Sequence, residues 1–380
     1  MENKEKIKTA LIAMSGGVDS SIAAYLTKEK GFQCQGTTMR LYRNEDIGQC
    51  GFHTCCSQRD IDDASEVAFQ LDIPYDVLDF TMDFRKQIIE NFIRVYEEGG
   101  TPNPCIDCNR YMKFNKLLKF AREKKLDYVV TGHYARIVFD KESGRYLLKK
   151  AVDETKDQSY ALYAMTQNQL AHTLFPLGHL RKTEVRKLAE KLRFVNAAKH
   201  DSQDICFVPH GDYTRFMEEH RGRAYPEGDF LDEKGNIVGR HKGAVRYTLG
   251  QRKGLGLTMG KPVYVCAKSM ENNTVTVGSE AMLYSYALIA EEMNWISIPK
   301  LERPMRLMGK TRYGQAEQCC TVIPLGDGKI RVEFDVAQRA VTQGQALVLY
   351  DKDVVVGGGT ILNVVHDGLQ LLNHKYNKLP

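Results

Sequence analysis

The chain has 380 residues, 43% of them hydrophobic and 27% charged, which is too long for one ordinary core and points to two or three soluble domains. The longest apolar run near the N-terminus, Ala10 to Met14, is far too short to cross a bilayer, and the charged stretch from Met1 to Lys8 before it does not read as a signal peptide, so the cytoplasm is expected and a membrane partner is not. A net charge of +5 permits a nucleic-acid partner without requiring one, and 10 cysteines in a reducing compartment suggest metal binding, redox chemistry or thiol catalysis for some of them rather than a disulfide framework.

Strands and helices alternate over the first part of the chain. Thr9 to Met14 reads as a buried strand, Asp19 to Lys30 as a helix, and Gln33 to Leu41 as a second strand. Gln58 to Leu71 has helical spacing and Ile73 to Asp79 follows it as a third strand. Phe84 to Glu98 and Asn115 to Lys125 read as helices, and Tyr128 to Thr131 as a fourth strand. This alternation predicts an α/β fold with a parallel sheet covered by helices on both faces. Gln167 to Leu174 and Lys182 to Leu192 read as further helix.

From about residue 222 glycines recur and the apolar runs shorten. Val263 to Lys268, Thr274 to Gly278, Arg303 to Arg312, Ile330 to Phe334, Ala346 to Tyr350 and Gly359 to Val364 read as strands. The expected organisation is therefore a catalytic domain over residues 1–220, a small β-rich domain over 221–283 and a C-terminal β-barrel over 284–380.

The segment Met14-Ser15-Gly16-Gly17-Val18-Asp19-Ser20-Ser21 lies between the first strand and the first helix. Consecutive glycines let the backbone turn sharply and approach a ligand, and the amides opening the helix favour an anion. A plain Gly-Gly turn capped by Asp or Ser is the simpler alternative. The position at the end of a central parallel strand favours a ligand site. No Lys follows the second glycine, so this is not a Walker A loop. Were the ligand a nucleotide, Asp19 would be the loop carboxylate to hold its Mg2+.

In Thr101-Pro102-Asn103-Pro104-Cys105-Ile106-Asp107-Cys108-Asn109 the prolines and asparagines predict a turn that delays the helix until after Cys108. Cys108 would then sit at a helix N-terminus beside Arg110 and Lys113, an environment that lowers a thiol pKa. Cys206, between Ile205 and Phe207, reads on its own as a core residue. Cys50, His53, Cys55 and Cys56 form a further cluster with spacing open to zinc or a redox pair. Cys34, Cys319 and Cys320 read as structural, and Cys266 as core.

Ser15 to Ser20 resembles the signature of the N-type ATP pyrophosphatases, which adenylate an oxygen atom and release pyrophosphate. Together with Thr101 to Asn109, Thr131 to Tyr134, Lys156 to Tyr160, Asp201 to Phe207 and Thr248 to Gly256, it resembles the tRNA-specific 2-thiouridylases along essentially the whole chain. The resemblance implies an adenine nucleotide alpha hydrolase-like fold and 2-thiolation of the wobble uridine of tRNA. It implies ATP and Mg2+, with Ala13, Met14, Ser15, Gly16, Gly17, Val18, Asp19, Ser20, Met39 and Gly132 around the nucleotide. Cys206 would carry a persulfide and Cys108 would complete the transfer, leaving a disulfide. Asn103, Pro104 and Cys105 would approach the base, and His133, Lys156, Asp157, Gln158, Arg312, Tyr313 and Gln345 would contact tRNA. A cysteine desulfurase or a sulfur-relay protein would deliver the sulfur.

One departure stands out: the family commonly has Asp where this chain has Cys105. That creates Cys105-x-x-Cys108, and with Cys206 a possible ligand set for a [4Fe–4S] cluster with one iron open to sulfide. A competing reading keeps the ATP loop but gives it another acceptor, as in ligases acting on a small carboxylate or amide. Such chemistry has no use for Cys108 and Cys206. A non-catalytic RNA-binding module is a further alternative, one that predicts no pyrophosphate release.

Overall fold

The computed structural model describes residues 7–43, 58–201, 205–208 and 211–365. The chain forms two compact units. One is built from the described parts of residues 1–90, 104–216 and 353–355, the other from 91–103, 217–352 and the described residues from 356 onward.

The first unit is an α/β layer structure. Its apolar runs become β1 (Thr9–Ala13), β2 (Gln33–Arg40), β3 (Tyr75–Asp79) and β4 (Tyr128–Val130). An antiparallel hairpin of β5 (Arg136–Asp140) and β6 (Arg145–Lys149) follows, then the short β7 (Thr173–Leu174). The sheet order is β3-β2-β1-β4-β7, and every pairing in it is parallel. The central strand β1 is therefore flanked by β2 and β4, and its C-terminal end opens at residue 14.

Helices α1 (Val18–Glu29) and α2 (Gln58–Gln70) alternate with the first strands. In α1 the residues Ser20, Ser21, Ile22, Ala23, Ala24 and Thr27 are all buried, so this helix is wrapped on most of its circumference. Ile12, Met14, Ile22, Ala64, Val67 and Val130 lie at the centre of the core that joins sheet and helices. The remaining helices are α3 (Thr81–Phe84), α4 (Glu90–Glu97), α5 (Pro104–Asp107), α6 (Leu117–Glu123), α7 (Ser159–Leu162), α8 (Gln167–Ala171), α9 (Lys182–Lys191) and α10 (Tyr213–Arg221). Wider π-helical turns join α3 to α4 over Arg85–Ile89 and α5 to α6 over Cys108–Lys116.

The second unit is mostly strand. β8 (Gly228–Leu231), β9 (Ile237–His241), β10 (Tyr264–Ser269) and β11 (Thr274–Gly278) form a sheet of order β10-β11-β8-β9 around Phe230, Val265 and Val275. β12 (Tyr284–Trp295), β13 (Met305–Lys310), β14 (Gln318–Gly326), β15 (Lys329–Arg339), β16 (Ala346–Asp351) and β17 (Val354–Val365) follow. They run β12-β15-β14-β13-β16-β17, and antiparallel pairing of β12 with β17 closes them into a barrel. Closure removes exposed strand edges.

The structure departs from the sequence reading at several points in the fold. The β5–β6 hairpin falls in a stretch assigned to neither helix nor strand. Gln167 to Leu174 is not one helix, because α8 stops at Ala171 and Thr173–Leu174 joins the parallel sheet beside β4. Among the cysteines, Cys34 and Cys320 are buried, while Cys319 is exposed and Cys266 is half-buried rather than core. Alternation along β14 accounts for the contrast between Cys319 and Cys320.

The dependence of the first unit on its central strand gives a direct test. Ile12→Ala removes a fully buried side chain from that core and should destabilise the unit by about 2–5 kcal/mol. Urea unfolding followed by circular dichroism reads the change. A loss smaller than that of an exposed substitution such as Phe69→Ala would contradict the assignment of the core.

Candidate active site

The loop after β1 is shaped by contacts that only glycine permits. Gly16 has φ of 72°, and a Cβ there would lie 2.3 Å from the Asp60 carbonyl oxygen. Gly132, after the adjacent strand β4, lies so close to the same loop that a Cβ would stand 2.8 Å from the Ser20 amide nitrogen. The end of β4 and the first turn of α1 are thus backbone against backbone, as expected where an open parallel sheet receives a ligand.

Inside the loop the Ser20 hydroxyl accepts from the Ser15 amide at 3.1 Å and donates to the Gly17 carbonyl at 2.9 Å. Gly17 is the N-cap of α1 and supplies no side-chain cap, so amides of the first turn are left for an anion. The Thr38 hydroxyl donates to the Met14 carbonyl at 2.5 Å, and Met14 and Met39 are buried beside the loop. Ala13 to Ser20, Met39 and Gly132 are therefore brought together.

A strap of residues 196–201, just ahead of Cys206 in the chain, fastens this loop from behind. The Asn196 amide donates to the Gly16 carbonyl at 3.0 Å and to the Ser21 hydroxyl at 2.9 Å. The Lys199 ammonium donates to the same Gly16 carbonyl at 3.1 Å and pairs with Asp60 and Asp63, each at 2.6 Å. The Asp201 carboxylate takes up Lys156, Lys182 and Arg186, each at 2.8 Å. Burial by itself would raise the Asp201 pKa, but hydrogen bonds from Lys156 and Lys182 outweigh it and hold the carboxyl down to about 2.

Lys182 is the hinge of this arrangement. Its buried ammonium sits 2.7 Å from both carboxylate oxygens of Asp19 and also meets Asp201. The Tyr134 hydroxyl donates to Asp19 at 2.8 Å, and the Tyr134 ring lies under the Lys182 ammonium. Burial first, and then the neighbouring Asp19, raise the Tyr134 pKa, so the phenol stays protonated as a donor. Lys182, Lys199, Asn196 and Tyr134 were not singled out by sequence reasoning as site residues. For Lys182 a signal existed: it is the first residue of α9, where the helix dipole disfavours a cation unless carboxylates hold it.

Beyond the strap, the Cys206 carbonyl accepts from the Tyr42 hydroxyl at 2.7 Å. Phe207 is buried between Phe84 and Phe216. This aromatic anchor leaves Cys206 itself half-buried rather than in the core.

The turn around Cys108 differs from the sequence reading. Helix α5 begins at Pro104, because proline is well suited to the first helical position, where no amide donor is needed. Cys105 is therefore in the first turn and exposed, and Cys108 is one turn further on and buried. Burial pushes the Cys108 thiol up to about 11, and the nearby Lys113 offsets this only in part. The expected activated thiol is, in this conformation, a covered and protonated one.

Of the residues expected at tRNA, several are engaged within the protein. His133 is buried against Phe114 and Phe175 and bonds Thr131 at 2.7 Å, and burial holds its pKa well below the ordinary value. Asp157 accepts from the Ala151 amide and the Ser159 hydroxyl, and Gln158 accepts from the Tyr134 amide. In the second unit, Arg312 donates to the Ala340 carbonyl and Thr342, Tyr313 is exposed beneath Lys310, and Gln345 donates to the Thr101 carbonyl at 2.6 Å. Asn103 lies in that unit and Pro104 in the first.

No three His, Cys, Asp or Glu side chains among the described residues are gathered so as to hold a metal ion. Cys105, Cys108 and Cys206 thus do not fit a [4Fe–4S] cluster as they stand. Cys50, His53, Cys55 and Cys56 lie outside the described residues. No helix among the described residues is long and apolar enough to cross a membrane.

Three known families match successive stretches of the chain. The family described as tRNA methyl transferase HUP domain matches residues 8–210, the tRNA methyl transferase PRC-barrel domain 214–279, and the aminomethyltransferase beta-barrel domain 285–361. A tRNA-specific 2-thiouridylase of Acetivibrio thermocellus is 49% identical over 93% of this chain and 99% of its own. That of Clostridioides difficile is 48% identical over 93% and 98%, and that of Symbiobacterium thermophilum 49% over 94% and 93%.

The thiol geometry predicts an order of reactivity. At pH 8, iodoacetamide should label the exposed Cys105 before the buried Cys108. Cys108, with its pKa raised from 9.0 to about 11, should react about 100-fold more slowly than an unperturbed thiol on thiolate population alone. Raising the pH from 8 to 10 should accelerate Cys108 labelling by about tenfold per unit, since thiolate grows in that proportion below the pKa. Tandem mass spectrometry distinguishes the two sites, and equal rates at pH 8 would contradict the buried placement.

Proposed function

This chain belongs to the family of tRNA-specific 2-thiouridylases, and we propose on that footing that it uses ATP to replace the 2-oxygen of a wobble uridine in tRNA with sulfur. The observation that carries the reading is the strap that fastens the glycine loop to the segment bearing Cys206. A thiol carrier linked to an anion-binding loop suits a reaction in which the nucleotide activates the acceptor and a cysteine delivers the new atom.

The chemistry proceeds in two displacements. The uridine 2-carbonyl oxygen attacks the α-phosphorus of ATP, forming the O-adenylate and releasing pyrophosphate. A persulfide on Cys206 then attacks C2, and AMP departs with the oxygen. The Cys108 thiolate attacks the Cys206 sulfur, breaking the bond to the transferred sulfur. This leaves the 2-thiocarbonyl on tRNA and a Cys108–Cys206 disulfide, which an external dithiol must reduce before the next turnover. The buried Cys108 requires its turn to open for that last step.

In this reading Ala13, Met14, Ser15, Gly16, Gly17, Val18, Ser20, Met39 and Gly132 surround the nucleotide, and loop amides take its phosphates. Mg2+ arrives with the triphosphate, and Asp19 is the carboxylate at hand. That carboxylate is already paired with Lys182, so a metal would contend with an ammonium ion for it. Asn103, Pro104 and Cys105 approach the base. Lys156, His133, Asp157, Gln158, Arg312, Tyr313 and Gln345 serve tRNA directly or by supporting those that touch it. The domains span 1–220, 221–283 and 284–380. The sulfur reaches Cys206 from a cysteine desulfurase or a relay protein, in the cytoplasm. No step is routed through an iron–sulfur cluster, since the cysteine trio does not fit one.

The test is nucleoside mass spectrometry on tRNA incubated with the protein, ATP and a persulfide-generating cysteine desulfurase. A uridine that has exchanged oxygen for sulfur is expected. Cys206→Ser and Cys108→Ser should each cut thiolation by more than about 100-fold while tRNA-dependent pyrophosphate release continues. Thiolation at the normal rate by either variant would overturn the assignment of the thiols, and release of pyrophosphate without tRNA but with a small carboxylate would overturn the acceptor.

A further inference from the structure

Cys105 and Cys108 are three positions apart in continuous helix, where α5 runs into the widened turn over Cys108–Lys116. Three helical steps put their Cα atoms about 5 Å apart, and disulfides span Cα separations of roughly 4.4–6.8 Å. The Cβ atoms of such a pair stand about 5–6 Å apart, so a bond between the sulfurs asks the turn to tighten by about 1 Å. The widened turn that begins at Cys108 is a place where a helix yields. Burial is the main cause of the raised Cys108 pKa; Lys113 lowers it, and Cys105 then raises it further. The two thiols are thus within electrostatic reach of each other.

Their surroundings differ. Cys105 is exposed, Cys108 buried and Cys206 half-buried, all three in the first unit. The reaction proposed above ends on a Cys108–Cys206 disulfide, which offers an external dithiol one covered sulfur and one half-covered one. Thiol–disulfide exchange needs the attacking sulfur to reach the bond, so access limits its rate. A thiol one turn away on the same helix does not have to diffuse in, and its effective concentration exceeds that of a free dithiol. A Cys105–Cys108 disulfide, in contrast, presents a sulfur at the surface.

We propose that Cys105 is a third catalytic thiol, which resolves the Cys108–Cys206 disulfide and carries the oxidised state out to the surface. The Cys105 thiolate attacks the Cys108 sulfur. The Cys105–Cys108 bond forms, the Cys108–Cys206 bond breaks, and Cys206 leaves as a thiolate that takes up a proton. No electrons enter or leave in this exchange. An external dithiol then attacks the Cys105 sulfur and is oxidised by two electrons as Cys105 and Cys108 return to thiols. Cys206 is free to accept sulfur again before that pair is reduced. This rests on the persulfide reading given above, and it adds to that reading a residue and an order of exchanges.

The experiment starts from protein loaded with persulfide by a cysteine desulfurase and desalted. It is mixed with tRNA, ATP and Mg2+ without any dithiol, then quenched with N-ethylmaleimide at low pH. Nucleoside mass spectrometry counts 2-thiouridine, and peptide mass spectrometry counts each disulfide. The natural protein should hold mainly the Cys105–Cys108 disulfide, with Cys206 alkylated. Cys105→Ser should hold about tenfold more Cys108–Cys206 disulfide for each 2-thiouridine formed, a ratio that a lost base contact does not enter. In multiple turnover the same variant should need about tenfold more dithiothreitol to reach half of its own maximal rate. Separately, the natural protein kept in oxidised glutathione without tRNA or ATP should close the Cys105–Cys108 disulfide.

A natural protein that forms 2-thiouridine yet keeps the Cys108–Cys206 disulfide overturns the proposal, as does one that joins Cys105 to Cys206. An unchanged dithiothreitol requirement in Cys105→Ser has the same meaning, and so does failure of Cys105 and Cys108 to pair in glutathione. Pairing in glutathione by a natural protein that forms no 2-thiouridine is a different result: it removes the thiolation reading, and the resolving step with it.

Discussion

The carbonyl of Gly16 is the point on which the site depends. Its residue must be glycine, because a side chain would run into the backbone at Asp60 and the positive φ is one that L side chains rarely adopt. Two donors from the strap, Asn196 and Lys199, then seize that oxygen. The glycine loop is thus held by one of its carbonyls, and the donors come from the segment 196–199.

Desolvation sets the opposing demand. A thiol that must act as a nucleophile needs to be ionised, while a thiol kept from adventitious oxidation is best buried. Cys108 has been given the second condition, with its pKa raised by burial, and Cys206 an intermediate one. Phe207 makes that intermediate state possible. Its ring is buried between Phe84 and Phe216, so the backbone is fixed next door while the Cys206 side chain is not itself drawn into the core. The π-helical turn that begins at Cys108 is the corresponding device on the other side, since such widened turns are weak points in a helix.

The strand–loop–helix start of the chain was legible because each part follows from local rules: an apolar run, paired glycines, then buried small residues at helical spacing. The closed barrel was legible as to class, from short apolar runs between glycines, although β8, β9, β12 and β14 escaped notice. What was not legible depended on long-range burial. The β5–β6 hairpin pairs with Val354, more than two hundred residues away in the chain, and its isolated pattern is weak. Pro102 and Pro104 were read as holding off a helix, yet Pro104 starts one, so the thiol at the helix end is Cys105 and not Cys108. The ammonium of Lys182 had no local sign of its partners, because Asp19 lies over a hundred and sixty positions earlier.

The residues tied to tRNA by family likeness show how a surface role and a structural one combine. Asp157 spends its oxygens on Ala151 and Ser159, which fixes the turn that presents Gln158. Gln158 accepts from the Tyr134 amide, and the Tyr134 hydroxyl donates to Asp19, the carboxylate that Lys182 neutralises. Lys156, in the same short stretch, reaches Asp201 on the strap. Residues 156–158 are therefore tied by hydrogen bonds to both partners of Lys182, to Asp201 through Lys156 and to Asp19 through Gln158 and Tyr134.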